Sequence, residues 1–457
     1  MDVMRETFGS KLGAFAALAG STIGLGNMWR FPYLMTENGG GSFILIYILV
    51  SALFSLPLFT LEMIIGRRGR ASTAVSMQNI SGEKKWSWYS VIGVFVPLCM
   101  LSFYVVVGGW TIRYCVESFS FGFDGMNSVA QSGAFFAGFV GNNASNLVYT
   151  LIFLFFSLII TALGVSKGIE RFTRPMMLLM IVLMVLVVIR SVTLPGAGDG
   201  LKYLFVPDLS KVSMNTVFIA MGQSFMSMSV GIGAIVVYAS YVKKEDSLLR
   251  YSVLTCVSDT GFAILSGIAI VPAIYYAAHV GGYEPTMQSG PGLVFEMLPV
   301  VFNAMPAGNI IAILFFFSLF VAALTSAICL VETVNSVYMD MLGFSRKKAV
   351  FYTFLSCIVF AVLCSLSFGA LKDVKILGRT FFDLFDNSTN SVLPISALVI
   401  CVFAGKHIKK AVIRDELSSG GKTIVSNSIV GFMSVLTRSI LPLLLVAMIV
   451  AWIMGIS

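Results

Sequence analysis

Several long stretches of the chain contain few polar residues, and each is close to the length needed to cross a lipid bilayer. The clearest cover residues 43–65, 147–164, 176–189 and 440–454. A helix needs about 20 apolar residues to span the hydrocarbon core. A β-barrel also spans a membrane, but its strands alternate polar and apolar residues. Because these stretches are apolar on every face, they predict an all-α integral membrane protein.

The composition supports a membrane protein and narrows its function. Hydrophobic residues make up 57% of the 457 residues and charged residues 11%, whereas a soluble domain has roughly 25% charged residues. The net charge of +8 could indicate nucleic-acid binding, but the Lys and Arg residues cluster in short segments between apolar stretches, so no nucleic-acid partner is expected. The seven cysteines lack CxxC spacing and the two histidines are far apart. We expect neither disulfides nor a metal centre, and neither an enzyme nor an organic cofactor.

The apolar segments predict eleven spans. Lys and Arg concentrate in the loops that follow the even-numbered spans. Because such loops stay in the cytoplasm, we expect a multi-pass protein of the cell (inner or plasma) membrane with a cytoplasmic N-terminus and Ser457 outside. A re-entrant last segment would change only the position of Ser457. The first apolar segment runs on to about Leu34, which favours a span over a cleaved signal peptide. The predicted spans cover 11–35, 42–66, 88–118, 145–164, 171–192, 213–241, 248–277, 307–339, 348–369, 377–404 and 427–455.

One long outside loop, 278–306, contains Gly and Pro residues on both sides of a short apolar piece, 293–298. This pattern predicts a loop that carries a small helix. The loop would serve either as a lid or as a simple connection.

The first span contains several residues that interrupt a helix. The span contains Gly20, Gly24 and Gly26, and Asn27, Arg30 and Pro32 follow. Each Gly costs a helix interior about 1 kcal/mol and Pro about 3 kcal/mol. We expect the helix to unwind near residues 22–26, where free carbonyls and a new helix N-terminus can bind a cation and a carboxylate. The alternative is a continuous helix whose glycines pack against a neighbouring helix. Asn27 and Arg30 count against this alternative, because an Arg within the membrane needs a partner.

The sixth span repeats this pattern. Residues 222–233 contain hydroxyl side chains followed by Gly231 and Gly233. Two interrupted spans, five apart, indicate an inverted-repeat transporter whose site lies between them. We therefore predict one transporter domain, 1–457, with repeat halves at about 11–192 and 213–404 and an extra span at 427–455.

Polar residues in other spans need partners within the protein. Asp259 is a candidate to face a cation, because a buried carboxylate is costly unless it is paired. Glu62 and Glu332 are candidates for structural networks on the cytoplasmic side. Thr325 and Ser326 lie in the eighth span, where their hydroxyls would either bind a ligand or bond back to their own helix.

Five short sequence segments carry a resemblance to a known family. Residues 24–33 read GLGNMWRFPY and residues 37–43 read ENGGGSF; 222–225 (GQSF) with 231–234 (GIGA), and 322–326 (AALTS), follow in order. Together they resemble the neurotransmitter:sodium symporter family, in its prokaryotic eleven-span branch with the leucine-transporter-type fold. The resemblance implies a five-plus-five inverted repeat with broken helices 1 and 6, and it extends over nearly the whole chain.

The resemblance implies two sodium sites built from oxygen ligands, which a hard cation prefers. A carboxylate of the bound amino acid would complete the first site. The seventh span has the pair Ser258-Asp259 where some relatives have Asn. Either residue could therefore be the sodium ligand, and we favour Asp259. Chloride-dependent animal members have a neutral Ser where the carboxylate would supply negative charge, so no chloride requirement is expected. Sodium site 1 would comprise Thr22, Asn27, Ser227 and Asp259, and sodium site 2 Gly20, Ile23, Ala322, Thr325 and Ser326.

The resemblance also implies a substrate pocket and an outer gate. Met226 stands where an aromatic residue often covers the substrate, and Ser21 where some bacterial members have Asn, so the side chain that is accepted stays open. The substrate residues would be Ser21, Leu25, Gly26, Met100, Tyr104, Val107, Met226, Ser227, Ser229, Ile232, Ser326 and Leu330; the gate would consist of Arg30, Gln223 and Asp386.

These residues predict a sodium-coupled importer of an amino acid that works by alternating access. The pocket is mostly apolar, which favours Leu, Ile, Val or Met, while two adaptable Met residues leave aromatic amino acids open. A proton-coupled transporter that uses Asp259 is the main alternative mechanism. A channel would need a continuous polar pore and a membrane enzyme would need a catalytic cluster; the sequence shows neither. The partners expected are the substrate and the bilayer.

Overall fold

The computed structural model describes residues 5–281 and 292–454. Regular structure within these ranges is helical, apart from an isolated bridge between Ile376 and Arg379. The α-helices are α1 (Lys11–Thr22), α2 (Phe31–Glu37), α3 (Gly41–Val50), α4 (Leu56–Gly69), α5 (Thr73–Ser81), α6 (Tyr89–Phe119), α7 (Val129–Gly141), α8 (Asn143–Ala162), α9 (Arg171–Val192), α10 (Ala197–Phe205), α11 (Met214–Ser227), α12 (Ala234–Ala239), α13 (Leu248–Gly281), α14 (Leu298–Ala304), α15 (Gly308–Leu342), α16 (Arg346–Leu366), α17 (Phe381–His407), α18 (Lys410–Leu417), α19 (Asn427–Val435) and α20 (Leu441–Ile453). Short π-helical segments cover Gly26–Arg30, Ser51–Ser55, Val165–Glu170, Leu293–Met297 and Leu436–Ile440, and 3-10 segments cover Lys84–Trp88 and Leu209–Lys211.

Nine helical stretches in these ranges are long and apolar enough to cross a membrane by length and composition. Two further spans are interrupted: α1 with α2, and α11 with α12. Together they account for the eleven predicted spans, with boundaries that differ from the prediction by a few residues. The nine continuous stretches are Gly41–Gly69, Lys84–Phe119, Asn143–Ala162, Val165–Val192, Leu248–Val280, Gly308–Leu342, Arg346–Leu366, Phe381–His407 and Asn427–Ile453.

The first span breaks where the sequence predicts it. Helix α1 ends at Thr22, and Ile23 has an extended backbone with ψ near 104°. A Cβ at Gly24 would lie 2.5 Å from Oγ of Ser326 and 2.8 Å from Oη of Tyr104. Only glycine therefore allows the unwound chain to approach these two hydroxyls so closely.

The sixth span breaks between Ser227 and Ala234, and this turn needs left-handed backbone. Gly231 has φ 83° and Gly233 has φ 84°, while Ser229 adopts φ 53°. The N–H of Gly231 donates to Oε1 of Glu62 at 2.6 Å. The N–H groups at a helix terminus have no partner within the helix and must find one elsewhere. Here the Glu62 side chain of α4 accepts the hydrogen bond from the backbone of the broken span.

The central helices pack around the two breaks, and the outer ones face the surroundings. In the most apolar part of the α6 span 78% of residues are buried, against 28% in the span that contains α9. Helix α15 packs against α6, α8, α9 and α1, which places it beside the break in the first span. The peripheral spans therefore present apolar side chains to the lipid.

A partly buried ionic network closes the end of the molecule that carries Arg5, which we call the Arg5 face. Nη1 of Arg5 lies 2.6 Å from Oδ1 of Asp340, and Nη2 donates to Oγ of Ser336 at 2.6 Å. The guanidinium also stacks over the ring of Tyr241 at 4.7 Å. The segment before α1 is thereby tied to α15 and to the end of α12.

Glu62 and Glu332 both have structural partners, as expected for buried carboxylates. Glu332 accepts from the hydroxyl of Tyr241 at 2.6 Å and from Nη1 of Arg346 at 2.8 Å. Arg346 is the first residue of α16 and also lies 3.5 Å from a carboxylate oxygen of Glu6.

A second buried pair on the Arg5 face joins distant parts of the sequence. Nε of Arg67, at the end of α4, lies 2.7 Å from Oε2 of Glu416 in α18. Nη1 of Arg67 donates to the carbonyl of Asp246 at 2.5 Å. Both side chains of the pair are nearly inaccessible to solvent. Helix α18 is therefore held against α4 and against the segment before α13.

Two further sequence expectations concern the long outside loop and the cysteines. The short apolar piece at 293–298 forms the start of a helix that runs to Ala304, while 282–291 of the predicted loop lie outside the described residues. All seven cysteines are free and buried.

Candidate substrate and ion site

The two breaks face each other across a small cavity near the centre of the molecule. Its volume is about 30 Å³, which is roughly the space of one or two water molecules. Every predicted substrate residue lines it except Val107, which is fully buried elsewhere on α6. The lining consists of Ser21, Thr22, Gly24, Leu25, Gly26, Met100, Tyr104, Met226, Ser227, Ser229, Ile232, Ala234, Ser326, Cys329 and Leu330.

Asn27, Ser227 and Asp259 meet directly at one side of this cavity. Nδ2 of Asn27 donates to Oδ1 of Asp259 at 2.9 Å and to Oγ of Ser227 at 3.0 Å. The hydroxyl of Ser227 lies 2.9 Å from both carboxylate oxygens of Asp259. All three side chains are buried, so a carboxylate stands here with neutral partners in a place of low dielectric. Such a group favours a nearby cation.

Two other predicted members of this group differ in position. Thr22 lines the cavity, but its hydroxyl donates back to the carbonyl of Ala19 at 3.1 Å. Ser258 is partly exposed, whereas Asp259 is fully buried against Asn27. Of the two neighbours in the seventh span, Asp259 is the one that faces the break.

Oxygens of the first and eighth spans converge at the other side of the break. The hydroxyl of Ser326 lies 3.3 Å from the carbonyl oxygens of both Gly20 and Ile23. These two carbonyls lack helical partners because α1 ends at Thr22. Unwound carbonyls together with a hydroxyl are the ligand type that a sodium ion prefers.

The hydroxyl of Thr325 does not reach across to the first span. It bonds back to its own helix, at 3.1 Å from the carbonyls of Val321 and Ala322. A Cβ at Gly20 would lie 3.3 Å from Cβ and 3.6 Å from Cγ2 of Thr325, so the side chain of Thr325 contacts the first span through its methyl group. The carbonyl of Ala322 accepts from Thr325 and is part of the same oxygen-rich corner.

The polar end of the cavity is made largely of backbone groups. The N–H of Leu25 donates to the hydroxyl oxygen of Tyr104 at 3.2 Å. The hydroxyl of Ser229 donates to the carbonyl of Ser21 at 2.9 Å. The cavity thus offers an N–H and a hydroxyl at one side and carbonyls at the other, which suits a molecule with both a carboxylate and an ammonium group.

A larger cavity of about 440 Å³ lies directly above, and we call it the vestibule. Arg30 and Asp386, two of the predicted gate residues, line it together with aromatic side chains. Nη1 of Arg30 lies 2.5 Å from Sδ of Met226, and Met226 lines both cavities. The floor of the vestibule is therefore the roof of the small cavity.

Gln223, the third predicted gate residue, is buried beside the vestibule rather than exposed to it. Its Nε2 donates to the carbonyl of Gly26 at 3.0 Å. This bond connects the two interrupted spans.

Sequence reasoning missed three residues that lie close to this site. The hydroxyl of Tyr47 is 3.5 Å from Oδ2 of Asp259. The sequence could have indicated this residue only through a single hydroxyl side chain within an apolar stretch. Cys329 lines the small cavity, and its position three residues after Ser326, on the same helix face, could have indicated it. Ala234 is the first residue after the break, and its contact depends on the turn geometry.

Comparisons with known proteins show which family this chain belongs to. The profile of the sodium:neurotransmitter symporter family matches residues 5–128 and 137–457. The chain belongs to this family. An uncharacterized sodium-dependent transporter of Bacillus subtilis (strain 168), YhdH, is 36% identical over 412 residues, which are 90% of each chain. An uncharacterized sodium-dependent transporter of Haemophilus influenzae is 33% identical over 426 residues, covering 91% of this chain and 92% of the relative.

A solved structure of the same type has the same fold. The crystal structure of MhsT in complex with L-phenylalanine superposes with a TM-score of 0.87 at 34% identity, over 98% of this chain and 99% of MhsT. The sodium:neurotransmitter symporter family therefore accounts for the fold, the membrane location and a sodium-dependent transport function of this chain.

Proposed function

We propose that this protein is a sodium-coupled symporter that imports an apolar amino acid by alternating access. The observation that carries the proposal is the small cavity between the two helix breaks. Its polar end consists of backbone groups and hydroxyls, and its other walls are apolar. The solved relative MhsT, which is bound to L-phenylalanine in its crystal structure, supports an amino acid as the substrate.

The polar end suits the main-chain groups of an amino acid. The carboxylate would bind the N–H groups of Leu25 and Gly26 and the hydroxyl of Tyr104. The ammonium would bind carbonyls near Ser21 and Met226. No Asp, Glu, Lys, Arg or His is among the residues that line this cavity, so a charged substrate side chain would have no partner there.

The aliphatic and aromatic side chains are two candidates for the apolar end. Met100, Met226, Ile232 and Leu330 line that end and favour Leu, Ile, Val or Met. The likeness to MhsT favours an aromatic side chain, and flexible Met side chains can move to admit a ring. Competition between unlabelled amino acids decides between them: the group that inhibits uptake at the lower concentration is the substrate group.

Sodium ions would be co-substrates at both sides of the break. One would bind at Thr22, Asn27, Ser227 and Asp259, with the substrate carboxylate as a further ligand. The other would bind at Gly20, Ile23, Ala322, Thr325 and Ser326. With a 100 mV potential and a tenfold gradient, one ion supplies roughly 3.7 kcal/mol and two supply roughly 7.4 kcal/mol. Two ions would therefore support accumulation beyond about 10⁵-fold.

We also propose that transport requires no chloride. The carboxylate of Asp259 lies within 3.5 Å of the Tyr47 hydroxyl and 2.9 Å of Ser227. A fixed negative charge at this position makes a separate anion unnecessary beside the cation.

Alternating access would proceed by movement of the two repeat halves, which we predict at about 11–192 and 213–404. Arg30 and Asp386 would close the vestibule as an ion pair, with Gln223 beside them. The Arg5 network would open on the opposite side, which we predict to be cytoplasmic.

Uptake of radiolabelled amino acids into proteoliposomes tests the proposal. An imposed sodium gradient without chloride should drive concentrative uptake of an apolar amino acid, and replacing sodium by potassium should abolish it. Simultaneous measurement of ²²Na and substrate should give two ions for each amino acid. Uptake driven equally well by a pH gradient without sodium would instead support the proton-coupled alternative and would overturn the ion sites.

A further inference from the structure

A third cavity, which adjoins the vestibule, lies at the side of the molecule. Its volume is about 270 Å³, close to the lower limit of roughly 300 Å³ for pockets that bind small molecules. Its walls come from α2, α11, α17 and α20, and they are apolar except at the inner end. We call it the side cavity.

The mouth of the side cavity opens on the surface that faces the membrane. Trp452 of α20 lines the cavity and is 44% exposed. Its neighbours on the same helix, Val450 and Ile453, are also exposed and apolar. In the most apolar part of the last span only 33% of residues are buried, so the outer face of α20 beside this mouth is apolar and is the face that a membrane would cover.

The inner end of the side cavity reaches the wall of the vestibule. Arg30 and Asn387 line both cavities. The side cavity therefore lies at the membrane depth of the vestibule. Its occupant would pack against the outer surfaces of α11 and α17, the two helices that carry Gln223 and Asp386.

The backbone of α11 leaves space for this occupant at Gly222. Gly222 lines the side cavity, and a Cβ built on it meets no heavy atom within 4 Å. Ile219 lies one turn earlier and lines the same wall, opposite Met448 of α20. If such a gap stays empty, the apolar side chains that line it lose their van der Waals contacts. Because this gap opens towards the bilayer, a lipid acyl chain can restore those contacts.

We propose that the side cavity binds one acyl chain of a membrane phospholipid from the half of the bilayer at the level of the vestibule. The volume admits part of one chain and excludes a headgroup. The bound chain fills the space between α11 and α20 and supports the vestibule wall from outside.

Photolabelling of the purified transporter in lipid nanodiscs tests this binding without reference to transport. The probe is phosphatidylcholine with a diazirine near the end of one acyl chain, and labelled residues are mapped by mass spectrometry. Leu393 and Met448 line the cavity and are 3% and 8% exposed, whereas Leu443 on the outside of α20 is 70% exposed. We expect labelling at Leu393 and Met448 as well as at Leu443.

Gly222→Leu should fill the cavity and lower labelling of Leu393 and Met448 several-fold, while labelling of Leu443 stays unchanged. Gly261→Leu is the matched control, because Gly261 also lies within a helix, and its Cβ also meets nothing within 4 Å. Ile449→Trp fills the cavity from α20 and gives a second variant if Gly222→Leu does not fold. Labelling confined to exposed residues, or labelling of Leu393 that both filling variants leave unchanged, overturns the proposal.

Discussion

At the scale of single residues, the geometry distinguishes between neighbours that the sequence presents as equivalent. Thr325 and Ser326 are adjacent hydroxyls, yet only Ser326 reaches across to the carbonyls of Gly20 and Ile23. Ser258 and Asp259 are adjacent as well, and only Asp259 contacts Asn27. Helical spacing explains both differences, since successive side chains point about 100° apart around the axis.

The first prediction concerns the second of the two proposed sodium sites. Thr325→Ala should abolish sodium-dependent uptake, because it removes a hydroxyl that we propose as a sodium ligand, whereas Thr325→Ser should retain uptake. Thr333→Ala is the control: Thr333 is buried on the same helix and bonds back to the carbonyl of Cys329 at 2.7 Å. Equal uptake by Thr325→Ala and Thr333→Ala in proteoliposomes would remove Thr325 from the ion site.

The second prediction concerns Asp259. Asp259→Asn removes the negative charge beside Asn27 and Ser227 but keeps a similar shape. We expect it to lower uptake strongly without chloride, and we expect added chloride to restore part of that uptake. Ser258→Ala should leave uptake independent of chloride. Uptake by Asp259→Asn that equals wild type in chloride-free medium would show that the carboxylate is not needed.

At the scale of elements, the turn inside the sixth span depends on one backbone position. Gly231 has φ 83°, and a Cβ there would lie 2.7 Å from the carbonyl oxygen of Leu393. The turn is also tied to its surroundings, since its N–H binds Glu62 and its carbonyl accepts from the hydroxyl of Ser396. The backbone of the break is therefore held in one conformation by hydrogen bonds to neighbouring helices.

Gly231→Ala should therefore destabilise the protein. Left-handed backbone costs about 1–2 kcal/mol in a residue with a Cβ, and overpacking adds typically 1–3 kcal/mol. Gly378→Ala is the matched control, because Gly378 has φ 78° but its Cβ would meet nothing within 4 Å. The midpoint of thermal unfolding in detergent should fall further for Gly231→Ala than for Gly378→Ala; an equal fall would mean that the contact with α17 contributes nothing.

Sequence periodicity predicts the long elements well and the short ones poorly. The apolar spans and both breaks follow from composition and from glycine placement. Helices such as α5 and α18 are too short and too polar to show against the spans, and their positions depend on tertiary contacts such as Arg67 with Glu416.

The candidate site is predictable where residue type dictates the chemistry, and not where packing does. Asn27, Ser227 and Asp259 come together as expected. Val107 does not line the cavity, and Tyr47 and Cys329 join the site. Their positions depend on how α6, α15 and the span that contains α3 rotate against each other, which a single sequence does not encode locally.

At the scale of the whole molecule, the proposed mechanism makes the Arg5 face and the vestibule the two ends of one path. The Arg5 face is closed by a partly buried pair, Arg5 with Asp340, and a buried pair, Arg67 with Glu416, while the vestibule has a volume of about 440 Å³. Breaking the Arg5 network should therefore expose the central cavity from the opposite end.

The reactivity of Cys329 can report this change. Cys329 lines the small cavity and is 2% exposed. Arg5→Ala should raise the rate of its alkylation by a small maleimide several-fold, measured by peptide mass spectrometry, and the amino-acid substrate should slow it. Arg68→Ala is the control, because Arg68 forms a half-exposed pair with Asp415 at 3.3 Å, and such surface pairs contribute little. Equal rates in both variants would separate the Arg5 network from access to the cavity.

The pair of Arg67 and Glu416 has a consequence for biosynthesis. The two residues are 349 positions apart in the chain, so the ribosome inserts most of the spans before the carboxylate exists. Until then the guanidinium lacks both the carboxylate and the helix that covers it. A nascent chain cut short before Glu416 therefore leaves the end of α4 without the contacts of α18, and this junction closes only late in synthesis.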